Sequence, residues 1–89
     1  MQENALTPDE NIQRDAFPLT YTSDVFPGTI LIALPSSDEH ATKWLTALAA
    51  AYIPYDLHRD EQMQWYAVIE ERFRQAAIVE IRQYEQINR

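Results

Sequence analysis

The spacing of apolar positions changes along the chain, and each change marks an element. Thr29-Ile30-Leu31-Ile32-Ala33-Leu34 is a continuous apolar run between Gly28 and Pro35. Its length, flanks and two isoleucines predict a strand covered on both faces. Pro27-Gly28, just before it, has the residues of a type II turn: proline presets φ and glycine supplies the positive φ. After Pro35 the rhythm turns helical. Ala41, Trp44, Leu45, Leu48 and Tyr52 recur at helical spacing, and Ala47, Ala49, Ala50 and Ala51 add helix propensity. Ser36-Ser37-Asp38-Glu39 supplies a capping box at the start. Pro54 ends the helix near Tyr52, because the residue before proline avoids the helical region.

Tyr55-Asp56-Leu57-His58 alternates after that proline and predicts a second strand. Strand, helix and strand in about 30 residues predict a right-handed βαβ unit with paired parallel strands. From Glu61 to Arg89 there is neither Pro nor Gly, and Tyr66, Ile69, Phe73, Ala76 or Ala77, Tyr84 and Ile87 keep helical intervals. Glu70–Arg74 and Glu85–Arg89 are i,i+4 pairs in the favourable order. One helix over 61–89 would run about 43 Å, against a diameter of roughly 30 Å for a globule of this size. It must project, pack on a partner, or break. The break has a candidate: Gln64-Trp65-Tyr66-Ala67-Val68-Ile69 as a third strand, hairpinned to Tyr55–His58 through Arg59–Met63, with the last helix from about Glu70. Those linking residues lack Gly or Asn, which argues against the hairpin.

Upstream, Thr7-Pro8-Asp9-Glu10 has the residues of a helix start and predicts a short helix over 8–15. Leu19-Thr20-Tyr21-Thr22 suits a short edge strand. The resulting expectation is a small α/β or α+β domain over 17–89, preceded by an acidic, partly flexible arm over 1–16. Its core is βαβ with a long C-terminal helix; the alternative is βαββα.

Composition narrows the chemistry. The 89 residues carry 14 acids and 7 bases, no cysteine and one glycine. One glycine cannot build a P-loop, a dinucleotide fingerprint or a nucleophile elbow. Without cysteine there is no disulfide, thiolate nucleophile or sulfur-rich metal site. The net charge of −7 opposes direct binding of nucleic acid or anionic membranes. That charge is uneven, with seven acids against Arg14 alone before residue 41 and seven acids against six bases after it. The first eleven residues have neither the basic nor the apolar part of a secretory signal. The longest apolar run, Leu45 to Ile53, is far short of the ~20 residues of a membrane span. The expected location is cytoplasmic.

Three constellations could carry function. Asp56, His58 and Asp60 fall on one side of an extended segment and could hold a divalent ion such as Zn or Mn, with His40, Asp38 and Glu39 elsewhere; a solvated strand end is the simpler reading. Ser36-Ser37 reads as a helix cap, since Asp38 and Glu39 would repel a bound anion. Ile78, Val79, Ile81, Tyr84 and Ile87 exceed what one helix face needs for a core, and suggest a surface for a partner or for self-association. Asp9, Glu10, Asp15, Asp24, Asp38 and Glu39 form the candidate acidic surface. The expectation is a small acidic, non-enzymatic adaptor, inhibitor or assembly factor, a homodimer, with no cofactor and no metal. The alternatives are an acidic mimic of nucleic acid, seated in a basic groove of a partner protein, and a small metal-dependent enzyme using Asp56, His58 and Asp60.

Overall fold

A computed structural model describes residues 6–8 and 18–87. Five strands and two helices follow one another: β1 (Leu6–Pro8), β2 (Thr20–Ser23), β3 (Thr29–Ala33), α1 (Asp38–Ala50), β4 (Asp56–Arg59), β5 (Trp65–Glu70) and α2 (Arg74–Ile87). A single 3-10 turn, Glu71–Phe73, joins β5 to α2. The strands form one sheet in the order β1-β2-β3-β5-β4, and every neighbouring pair is antiparallel. The α+β class therefore holds. The strand–helix–strand unit is present but split: β5 lies between β3 and β4, so the parallel pairing expected from the sequence does not form.

The 61–89 segment breaks into a strand and a helix. Gln64 begins the return, and Tyr66 to Ile69 are buried one after another. Both faces of this strand are covered, Ala67 and Ile69 by the helices and Tyr66 and Val68 by Leu31, Tyr21 and Phe26, so period-two side chains leave no exposed position in its middle. The short helix expected over 8–15 meets β1 at Pro8; residues 9–15 lie outside the described residues.

Alternate residues of β3 and β5 supply two cores. Ile30, Ile32, Ala67 and Ile69 face the helices and pack with Leu34, Trp44, Leu48, Ile53, Ala77 and Ile81. Leu31, Tyr66 and Val68 face the other way and pack with Tyr21, Phe26 and Ala33. Each isoleucine and leucine of the first group removes about 1.5–3 kcal/mol worth of apolar surface from water.

The ends of α1 are built from local chemistry. Ser37 sits in extended geometry and its Oγ accepts the His40 N–H at 3.2 Å. At the other end the chain turns through Tyr52 at φ 61. The Tyr52 N–H donates to the Ala49 carbonyl and the Ile53 N–H to the Leu48 carbonyl, both at 3.0 Å. This is a Schellman ending with tyrosine where glycine is usual, and the buried pair Leu48 and Ile53 supplies its apolar contact. The glycine is used at the β2–β3 turn instead. Gly28 has φ 79, and the Thr29 N–H donates to the Phe26 carbonyl across Pro27-Gly28.

Candidate functional site

The β4–β5 hairpin closes without Gly or Asn because Asp60 takes over their work. The Asp60 N–H donates to the Gln64 carbonyl at 3.0 Å, and the Met63 N–H donates to the Asp60 carbonyl at 3.1 Å. Met63, at φ 69, occupies the left-handed position of a three-residue loop. The Asp60 carboxylate then ties the loop from inside. Oδ1 accepts the Gln62 and Gln64 N–H groups at 2.9 and 3.0 Å, while Oδ2 accepts the Tyr66 hydroxyl at 2.9 Å. Burial pushes the Asp60 pKa up, but the Gln64 N–H, the Tyr66 hydroxyl, the Gln62 N–H and the neighbouring His58 outweigh it and hold the carboxyl below its ordinary value. The Tyr66 phenol is pushed well above its ordinary range, first by burial and then by its hydrogen bond to the Asp60 carboxylate and that group's charge.

This geometry decides the fate of the Asp56, His58 and Asp60 set. Asp56 and His58 share the sheet face turned away from the helices, opposite Val68 and Tyr66. The His58 ring lies 5.1 Å from that of Phe26 and 6.1 Å from that of Tyr66. Both Asp60 oxygens are already engaged in holding the turn. Among the described residues no group of three or more His, Asp or Glu side chains is arranged to hold a metal ion. His40 is elsewhere, on α1: its Nε2 pairs with Glu85 Oε2 at 2.5 Å, and the Trp44 indole N–H donates to the same oxygen at 2.7 Å. That contact ties α1 to α2.

The candidate partner surface on α2 is mostly interior. Ile78 is 2% exposed and Ile81 is 0% exposed, and Tyr84 packs against the core from its edge, so these three cannot form a docking stripe. Val79 stands out at 43% exposure, and the Ile87 side chain lies outside the described residues. Sequence spacing overcounted the free face because α2 packs under both α1 and the sheet. Of the acidic candidates, Asp9, Glu10 and Asp15 lie outside the described residues. Asp24 is exposed in the turn before β3, while Asp38 and Glu39 are exposed beyond its far end, so β3 separates them by its own length.

The sheet ends in β1 on one side and β4 on the other, and the outer edge of β4 is the one whose side chains are described. Among the described residues no strand pairs with it, and β5 occupies its inner edge. Because the Asp60 N–H points at β5, and backbone groups alternate along an antiparallel strand, those of His58 and Asp56 also point inward. Those of Leu57 and Arg59 therefore point outward. Leu57 is 50% exposed, and Trp65 beside it on the same face is 40% exposed, with the Arg59 guanidinium 5.2 Å over its ring. The sequence carried one faint signal of this: Leu57 is a single apolar residue flanked by polar ones in a segment of only four.

No protein family, no curated protein and no solved structure matches this chain. No described helix is long and apolar enough to cross a membrane.

Proposed function

We propose that this protein is a non-enzymatic interaction module, an adaptor, inhibitor or assembly factor, and that it engages other chains through the outer edge of β4. The observation that carries this reading is an edge that no described strand pairs, with outward N–H and C=O groups at Leu57 and Arg59, flanked by the exposed side chains of Leu57 and Trp65. An added strand finds main-chain hydrogen bonds there and an apolar contact beside them, the two parts of recognition by strand addition. The titratable groups near this edge support the same reading, since the Asp60 carboxylate is spent on the turn. A cytoplasmic site of action belongs to the same proposal. The reading as an acidic mimic draws less from the geometry, because, of its six candidate acids, Asp24, Asp38 and Glu39 are the ones described, and β3 separates the first from the other two.

Leu57→Pro tests the proposal. It deletes only an outward N–H, so the β4–β5 ladder stays intact, and proline is tolerated on edge strands. Affinity capture with the full chain followed by mass spectrometry is expected to recover partners that Leu57→Pro loses. Recovery of the same partners in the same amounts by both forms would refute the edge as the contact.

A further inference from the structure

The β4 edge is self-complementary, and we infer that its occupant is a second copy of this chain, paired antiparallel about a two-fold axis at Leu57. The inference rests on the edge being the contact surface proposed above, and it follows from which residues a twofold brings opposite one another. Directly opposed residues in an antiparallel pair point to the same face of the sheet, so such an axis passes through one residue of each strand. An axis at Asp56 sets that carboxylate against its own copy. An axis at His58 sets Asp56 against the second copy's Asp60, and one at Arg59 opposes two guanidinium groups. Like charges directly opposite are destabilising.

The axis at Leu57 is the one centre within Asp56–Arg59 that opposes no like charges. Leu57 then meets its own copy on the helix-facing side, where its side chain is half exposed. Asp56 meets the second copy's His58 on the other side, twice by symmetry. An imidazole N–H can donate to a carboxylate whether or not the ring is protonated. The backbone agrees with this register. The outward N–H and C=O of Leu57 exchange both hydrogen bonds with the second copy's Leu57, as a hydrogen-bonded antiparallel pair requires. The two five-stranded sheets would join into one of ten strands, with a strand order that reads the same from either end. Charges on an edge ordinarily keep other strands away; on β4 they reject the wrong registers and admit this one.

The absence of cysteine makes the register directly readable. In such a pair the opposed Cα atoms lie about 5.5 Å apart, inside the span a disulfide bridges. Leu57→Cys, exposed to oxidised glutathione, is expected to form a reducible covalent dimer, outpacing Val79→Cys by about tenfold or more. Sedimentation velocity over a concentration series is expected to carry the unmodified chain from monomer to dimer. Leu57→Lys and Leu57→Pro should stay monomeric over the same series, with unchanged far-UV circular dichroism. A chain that stays monomeric throughout, or a Leu57→Cys variant that cross-links no faster than Val79→Cys, overturns the second copy as occupant. If Leu57→Pro still loses other captured proteins in that event, the edge reading survives alone. If it loses nothing, both readings fall.

Discussion

Asp60→Ala tests the account of the hairpin most sharply. The substitution removes an acceptor of three hydrogen bonds, from the Gln62 N–H, the Gln64 N–H and the Tyr66 hydroxyl. Bonds to a charged acceptor contribute about 1.5–3 kcal/mol each when well buried. Asp60 is only partly buried, so the two loop bonds count at the low end; the larger cost is the Tyr66 hydroxyl, left in a residue that is 6% exposed. The expected loss is about 2–3 kcal/mol, corresponding for a domain this small to a fall in Tm of about 10–20 °C. Urea unfolding followed by far-UV circular dichroism measures it. Asp60→Asn, which keeps an oxygen for the loop, should lose roughly half as much. The sign of the pH dependence follows from the depressed carboxyl. Its stabilisation is fully present above the ordinary value of 3.8 and disappears as pH falls through the lower native value. The gap between the original chain and Asp60→Ala should therefore stay constant from neutral pH to about 4 and narrow below it, toward what a neutral acceptor such as that of Asp60→Asn retains. A loss under about 0.5 kcal/mol, or a gap that does not narrow in strong acid, would show that something other than the Asp60 carboxylate closes the turn.

Two further outcomes follow from the same geometry. Tyr52 and Met63 hold left-handed backbone at a cost of about 1–2 kcal/mol each, of which glycine gives back part through its own entropy. Tyr52→Gly and Met63→Gly should each raise stability by about 0.5–1 kcal/mol in urea melts, since Tyr52 is 90% exposed and Met63 largely so; a loss of stability in either would mean that the side chain packs on something. Ile81→Ala should cost about 2–5 kcal/mol and Val79→Ala no more than about 0.5, and equal costs would contradict the orientation assigned to α2.

The α1 helix, the Pro27-Gly28 turn and the β3 strand were legible in the sequence because each is decided within a few residues, whereas the cap falls on Ser37 and not on Ser36, which stands three positions before Glu39. A cap needs a hydroxyl three positions before an N–H, and a positive φ needs a glycine when no other force supplies it. The candidate surface on α2 was not legible in the same way. Ile78 and Ile81 have the spacing of a docking stripe and of a core stripe alike, and only the position of the sheet under that helix separates the two.

The 64–70 segment shows the division most clearly. Tyr66, Ile69 and Phe73 satisfy a helical period, while Trp65 to Ile69 also form a run of aromatic, β-branched and small residues suited to a buried strand. Local pattern left both open, and the loop before it lacked the residues that ordinarily make a hairpin. The decision came from contacts distant in sequence: β3 pairs with one side of this segment, β4 with the other, and the Tyr66 hydroxyl reaches back to the carboxylate that holds the turn. Inserting β5 at the centre also pushed β4 to the rim. The sequence by itself therefore determined a small chain of mixed helix and strand with one firm helix and one firm strand, and left α/β and α+β both open. Only the tertiary structure decided which strands lie inside and that β4 lies at the rim, because burial on two faces is a property of the neighbours a segment acquires.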